Sequence, residues 1–100
     1  MDFEWDEEKR LEGINKHKVD MVYAALIFES AVFAAVDDRK DYGESRYRAI
    51  GKVGDEVFVV VYTPRGGCFR LISSWKGGRN DQREYEARLA VANSAAAGRG

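Results

Sequence analysis

Apolar residues in this chain recur at helical spacing near its two ends and alternate with polar ones through its middle. Asp6 is placed to cap a first helix, with Glu7 and Glu8 in the turn where the helix dipole favours negative charge. Leu11 and Ile14 supply its apolar stripe, and it fades near Lys16-His17-Lys18. Residues 3 to 5 ahead of it suit a short strand. Asp20 caps a second helix, in which Met21, Ala24, Ala25 and Phe28 face the core. Val32 to Val36 reads as a strand and the charged stretch from Asp37 to Ser45 as a loop. Three more strands follow at about 46–53, 56–63 and 68–75. Gly54-Asp55 is a tight hairpin turn between the first two, and Pro64-Arg65-Gly66-Gly67 a longer one before the third. Gly77-Gly78 ends the sheet. A last helix starts near Asn80 or Asp81, with Glu84 completing a capping box and Tyr85, Leu89 and Ala92 on its apolar side. The pattern predicts an α+β fold: two N-terminal helices packed on an antiparallel sheet, a meander, with a C-terminal helix. One domain spans residues 1–93, and residues 94–100 are expected to form a disordered tail.

The turn lengths predict a register. A two-residue turn at 54–55 sets Arg48 opposite Val61, and a four-residue turn at 64–67 sets Val61 opposite Arg70. Arg46, Arg48, Val61, Thr63, Cys68 and Arg70 then share one face at one end of the sheet. Ile50, Val57, Val59 and Ile72 keep that face apolar at the other end. The opposite face carries Tyr47, Phe58, Val60, Tyr62, Phe69, Leu71 and Trp75, the expected core. Converging guanidinium groups repel one another unless an anion lies between them, and their planar forks suit phosphate oxygens. The same groups can equally be held by the loop acids Asp37, Asp38, Asp41 and Glu44 as structural salt bridges, and the sequence leaves both readings open.

Composition narrows the function classes. With 45% apolar residues in 100, the chain can build one core, and it has no run near the roughly 18 residues a membrane span requires. Its acidic start, Asp2 to Asp6, is unlike a secretory leader, and Cys68 is its single cysteine, so a cytoplasmic location without disulfides is expected. One histidine and no zinc-like cluster predict neither metal nor cofactor. The net charge of −1 conceals an uneven distribution. Residues 2–8 carry five acids, whereas residues 46–83 carry eight bases against three acids. Local fields decide where a phosphate chain settles, so a neutral total does not exclude a nucleic-acid partner.

The residues also resemble a known family. Phe3-Glu4-Trp5-Asp6, Lys9, Lys16-His17 and Val19 look like the opening of BrnT toxins, as do Ala24-Ala25 and Phe28-Glu29. Arg39-Lys40-Asp41-Tyr42-Gly43-Glu44-Ser45-Arg46, followed by Ile50-Gly51, resembles the family's most recognisable segment. Val59 to Thr63, Arg70 to Ser73 and Arg79 to Glu86 continue the likeness, which covers about residues 2–86. The resemblance implies a RelE-like fold and a metal-independent endoribonuclease that inhibits translation and growth. It implies as partners RNA and a BrnA-like ribbon-helix-helix antitoxin, forming a hetero-oligomer that meets DNA only through the antitoxin, with no membrane. One residue departs: where such chains continue Ile-Ser-Ala-Arg, this one has Ile72-Ser73-Ser74-Trp75, with Lys76 beside it. Loss of that arginine would weaken transition-state charge stabilisation, whereas a tryptophan there can stack on a base or sit in the core.

Cleavage of RNA without metal needs a base for the 2′-hydroxyl proton, an acid for the leaving oxygen and cations for the phosphorane. His17 is the one side chain with an intrinsic pKa near neutrality and is the expected acid or base. Arg46 and Arg70 are expected on the scissile phosphate with Lys76 beside them, and Lys16, Arg48 and Arg79 on the RNA strand. His17 equally fits a plain helix-terminal residue that favours the dipole. The competing function is a BrnT-like binding module without catalysis, acting with a DNA-binding antitoxin in operon autoregulation.

Overall fold

The computed structural model, which describes residues 1–97, begins with a short strand, β1 (Asp2–Trp5), and the helix α1 (Glu7–His17). Asp6 caps α1 as its position predicts, its Oδ1 accepting the backbone N–H groups of Glu8 at 2.9 Å and Lys9 at 3.4 Å. Lys18 closes the helix in the left-handed region, φ +58°, and donates its N–H to the Ile14 carbonyl. No residue of α1 is buried, and Leu11 is half exposed, so the expected apolar stripe is a rim rather than core. What fastens α1 is polar: Arg10 donates from Nε and Nη2 to the two oxygens of Asp20, both at 2.9 Å. Asp20 also caps α2 (Met21–Ala24), accepting from the N–H of Val22. The chain then tightens into a 3₁₀ turn over Ala25–Glu29, which brings Ile27 fully into the core beside Met21, Ala24 and Ala25 and leaves Phe28 partly buried.

Four further strands follow: β2 (Val32–Val36), β3 (Tyr47–Val53), β4 (Glu56–Arg65) and β5 (Cys68–Lys76), in sheet order β1-β5-β4-β3-β2. β2 to β5 pair antiparallel in succession, but β1 runs parallel to β5, so the sheet is mixed rather than antiparallel throughout. Phe3 fixes β1 at that edge by packing on Phe28 and Phe69, with ring centroids 5.6 and 6.3 Å away. Against the same face of the sheet lie Val19 and α2, enclosing Ala49, Phe58, Val60, Tyr62 and Leu71.

The β3–β4 hairpin has the expected register, with Arg48 opposite Val61. The β4–β5 hairpin does not. Gly66 and Gly67 both take positive φ, +58° and +85°, and make a two-residue turn by themselves. Pro64 and Arg65 therefore belong to β4, and Arg70 stands opposite Thr63, not Val61. Further along, Tyr62 pairs with Leu71 but Val61 with Ser73, so Ile72 is an additional residue in β5. This bulge reverses the alternation beyond it. Trp75 comes opposite Val59 and joins the second face of the sheet, not the core face with Phe58 and Val60, and Ile72 leaves Val57 and Val59 for the α1 side.

That second face is covered by α3 (Arg79–Ala97), which packs through Tyr85 and Leu89 on Ile50, Val57, Val59, Phe33 and Trp75. Asp81 does not cap α3; it sits in the first turn and accepts the Gly78 N–H at 2.9 Å, which makes Gly78 the cap residue. Ala92, expected on the packed side, is exposed. Residues 94–97, expected in the tail, are helical, and residues 98–100 of that expectation lie outside the described residues.

Candidate functional site

Beside and beyond α3, the second face of the sheet carries the arginines. Asp37, just beyond β2, is the anchor there: its N–H donates to the Arg46 carbonyl at 2.8 Å and its side chain is 0% exposed. Its carboxylate accepts from Arg39 Nε at 2.7 Å and Nη2 at 2.8 Å, a bidentate grip. Those bonds hold the Asp37 carboxyl down at about 2, against the opposing effect of burial and with help from the Arg39 N–H and the charge of Arg48. Arg39 is thereby turned back over the sheet, its guanidinium carbon 5.5 Å from the centre of the Trp75 ring.

Both arginines expected on the scissile phosphate are already paired. Arg46 donates Nε to Glu44 at 3.0 Å and lies 4.2 Å over the Tyr42 ring; Arg65 reaches the other oxygen of Glu44 at 3.6 Å. Arg70 stands 3.9 Å from Glu4, whose buried Oε1 accepts no hydrogen bond among the described residues. The loop acid Glu44 is among the partners the sequence offered for structural pairing. Glu4 is not, because its approach depends on β1 lying beside β5. Arg48 has no carboxylate partner among the described residues, and its side chain lines a cavity of about 100 Å³ with Trp75, Ala35 and Arg88.

His17 and Lys16 lie elsewhere. With Lys9, Glu12 and the hydroxyl-bearing Ser73 and Ser74 of β5, they line a separate cavity of about 200 Å³ that shares no residue with the one beside Arg48. The helix makes this cluster by spacing: Lys9, Gly13 and His17 follow at i, i+4 and i+8, and Glu12 and Lys16 at i and i+4. Gly13 adds no side chain, so the wall between Lys9 and His17 is open. One imidazole, one carboxylate and two ammonium groups thus face one concavity, an arrangement able to move a proton beside an anion. Lys76 is in neither place. It pairs with Glu56 at 3.0 Å, near Lys18 and Tyr23 at the far end of β4. Arg79 opens α3, exposed and outside both cavities.

The structure therefore divides the expected site residues into two groups and leaves Lys76 and Arg79 apart from both. Lys9 and Glu12 were legible as companions of His17 from their helical spacing alone. Arg39 and Asp37 were not: in a stretch with six charges among nine residues, nothing in the order of residues tells an inward carboxylate from a solvated one.

A small α+β domain with a basic sheet face and a histidine–lysine cavity is suited to phosphodiester chemistry, and comparison with known families gives that chemistry its class. Residues 5–92 match the model of the ribonuclease toxins of type II toxin–antitoxin systems. The chain belongs to the BrnT family, which makes RNA its substrate class and an antitoxin its partner. No curated protein matches it. Among the described residues no helix is long and apolar enough to cross a membrane.

Proposed function

We propose that this chain is a metal-independent endoribonuclease of RelE-like fold that acts in the cytoplasm, inhibits translation and growth, and is silenced by a BrnA-like ribbon-helix-helix antitoxin. The observation that carries the reading is the family match over residues 5–92, with a cavity inside that span lined by the chain's one imidazole and by two lysines. One phosphodiester cannot touch both cavities, so the scissile bond is assigned to the one with a proton acceptor. His17 takes the 2′-hydroxyl proton as the 2′-oxygen attacks phosphorus; the bond to the 5′-oxygen breaks, and that oxygen takes its proton from a solvent water. Lys16 and Lys9 balance the charge that grows on the phosphorane. Arg46, Arg48 and Arg70 hold the rest of the strand, with RNA phosphates exchanging for Glu44 on Arg46 and for Glu4 on Arg70. Lys76 and Arg79 add only to the field that draws RNA in.

The test is cleavage of an end-labelled RNA by the purified chain. Wild type cuts the RNA and leaves the all-deoxy strand intact, and His17→Ala lowers the rate about 10²- to 10⁴-fold, the usual scale for a lost acid or base. Arg46→Ala and Arg70→Ala raise KM more than they lower kcat. Full activity in His17→Ala would remove the proposed role of the histidine. The carboxylates already seated on Arg46 and Arg70 favour a second reading, a binding module that acts with its antitoxin in operon autoregulation. Wild-type protein that forms the antitoxin complex but never cuts RNA would establish that one.

A further inference from the structure

On the sheet face away from His17, a buried carboxylate organises more positive charge than it cancels. Asp37 binds Arg39 through Nε and Nη2, which leaves Nη1 without a carboxylate acceptor among the described residues, and the Arg39 side chain remains 51% exposed. Arg48, one strand away, stands opposite Ala35, two residues before Asp37 on the same side of the sheet. It is exposed and without a carboxylate partner among the described residues. Arg39 is bonded to the Asp37 carboxylate and Arg48 acts on it only through its charge, so two guanidinium groups stand about one carboxylate and the trio is net positive. Between the covered part of the sheet and this pair lies Trp75, partly buried, with Arg39 against its ring and its flank lining the Arg48 cavity. The carboxylates on the α3 wall of that cavity are turned to other partners, Asp81 to the Gly78 N–H and Glu84 to Arg88 at 3.1 Å, and among the described residues neither forms an ion pair with Arg48.

We propose that Arg39, Arg48 and Trp75 form a subsite for one nucleotide of a single strand, with its phosphate between the two guanidinium groups and its base against the indole. Planar guanidinium forks bind phosphate oxygens, and an aromatic face beside them takes a base without reading its sequence. Asp37 is the positioning residue, since it aims Arg39. The subsite rests on the reading of the chain as an RNA-binding toxin but not on the chemistry at His17. It lies outside the His17 cavity and serves to hold the strand.

The test uses the full chain carrying Trp5→Phe, so that Trp75 is the remaining tryptophan. It is titrated with a short single-stranded deoxyoligonucleotide, which lacks the 2′-hydroxyl and is not cut. Saturable quenching of Trp75 emission is expected. Arg48→Gln and Arg39→Gln each weaken binding about 5- to 10-fold and reduce the salt dependence by roughly one phosphate contact. Arg48 is exposed and pairs with no carboxylate among the described residues, so its variant folds normally. In Arg39→Gln the introduced amide retains a donor for Asp37. Binding that leaves Trp75 emission unchanged, or that is equally tight in both variants, overturns the subsite. Loss of RNA cleavage with quenching and both variant effects intact supports the subsite and sinks only the nuclease reading.

Discussion

At the scale of single residues, Asp37 shows how a loop can be held by one buried charge. Its carboxyl stays ionised because Arg39 supplies two hydrogen bonds to it, and its folded pKa of about 2 lies below the ordinary aspartate value of 3.8. A depressed carboxylate stabilises the fold fully above its unfolded pKa and loses that contribution as pH falls toward the folded one. Wild-type stability should therefore decline between about pH 4 and pH 2. Asp20 titrates in the same direction because Arg10 grips it, so the informative quantity is the difference between wild type and Asp37→Asn. The variant is expected to be about 1 to 2 kcal/mol less stable at neutral pH, measured by urea unfolding, with the gap narrowing as pH approaches 2. Its size is limited because Arg39 is half exposed. Arg39 stands in the family-like run of the sequence, yet its role was not legible there. Whether a loop arginine turns inward depends on a carboxylate two residues away being buried, and that follows from the sheet edge, not from local order.

Among the elements, those with strong local signals form as the sequence suggests. Asp6 and Asp20 each sit where a helix needs its first N–H groups satisfied, and Gly54 begins the hairpin that pairs Val53 with Glu56. The β5 bulge had no such signal. Leu71, Ile72 and Ser73 contain no glycine or proline to mark it, and one additional residue is enough to send Trp75 to the other face. The arginine face survives the error because the bulge lies beyond Arg70. Gly51, in β3, belongs to this scale too. A Cβ there would come within 2.8 Å of the Ile27 Cβ, an atom that every residue but glycine keeps. Gly51→Ala should cost about 1 to 3 kcal/mol through forced separation of β3 from the 3₁₀ turn, visible as a lower midpoint in thermal unfolding. A stability equal to wild type would mean that the turn yields freely and that Ile27 is not a fixed part of the core.

Across the whole molecule, the two covered faces are unequal. α2 and its 3₁₀ turn bury Met21, Ala24, Ala25 and Ile27, whereas α3 buries only Tyr85 fully in the part of the helix whose burial is described. The Tyr85 hydroxyl donates to the Ala31 carbonyl at 3.0 Å and its ring packs 5.6 Å from Phe33, so one side chain fastens α3 to the start of β2. Beyond Leu89, Val91 is 70% exposed. Tyr85→Phe, which keeps the ring and removes the bond, should cost about 1 kcal/mol. Amide exchange along α3 should quicken with little change in β4, since local opening follows the number of fastenings an element has. Equal quickening in both elements would show that α3 and the sheet open as one unit. The presence and facing of α3 were legible from Tyr85 and Leu89, but its thin attachment was not, because helical periodicity does not report how far a partner surface extends.

The pairing of β1 with β5 has a consequence for the order of events when the chain is made. The strand synthesised first among the five is matched to the one synthesised last, Asp2 beside Cys68 and Trp5 beside Leu71. Hairpins from β3 to β5 join neighbours in the chain and close over short loops, while β1 must wait through the longest loop closure in the sheet. Until Leu71 has emerged from the ribosome, β1 has no edge to join and the Glu4–Arg70 ion pair cannot form. A toxin built this way closes its sheet only after all five strands have been made, so its nascent form carries an open β1 until β5 emerges.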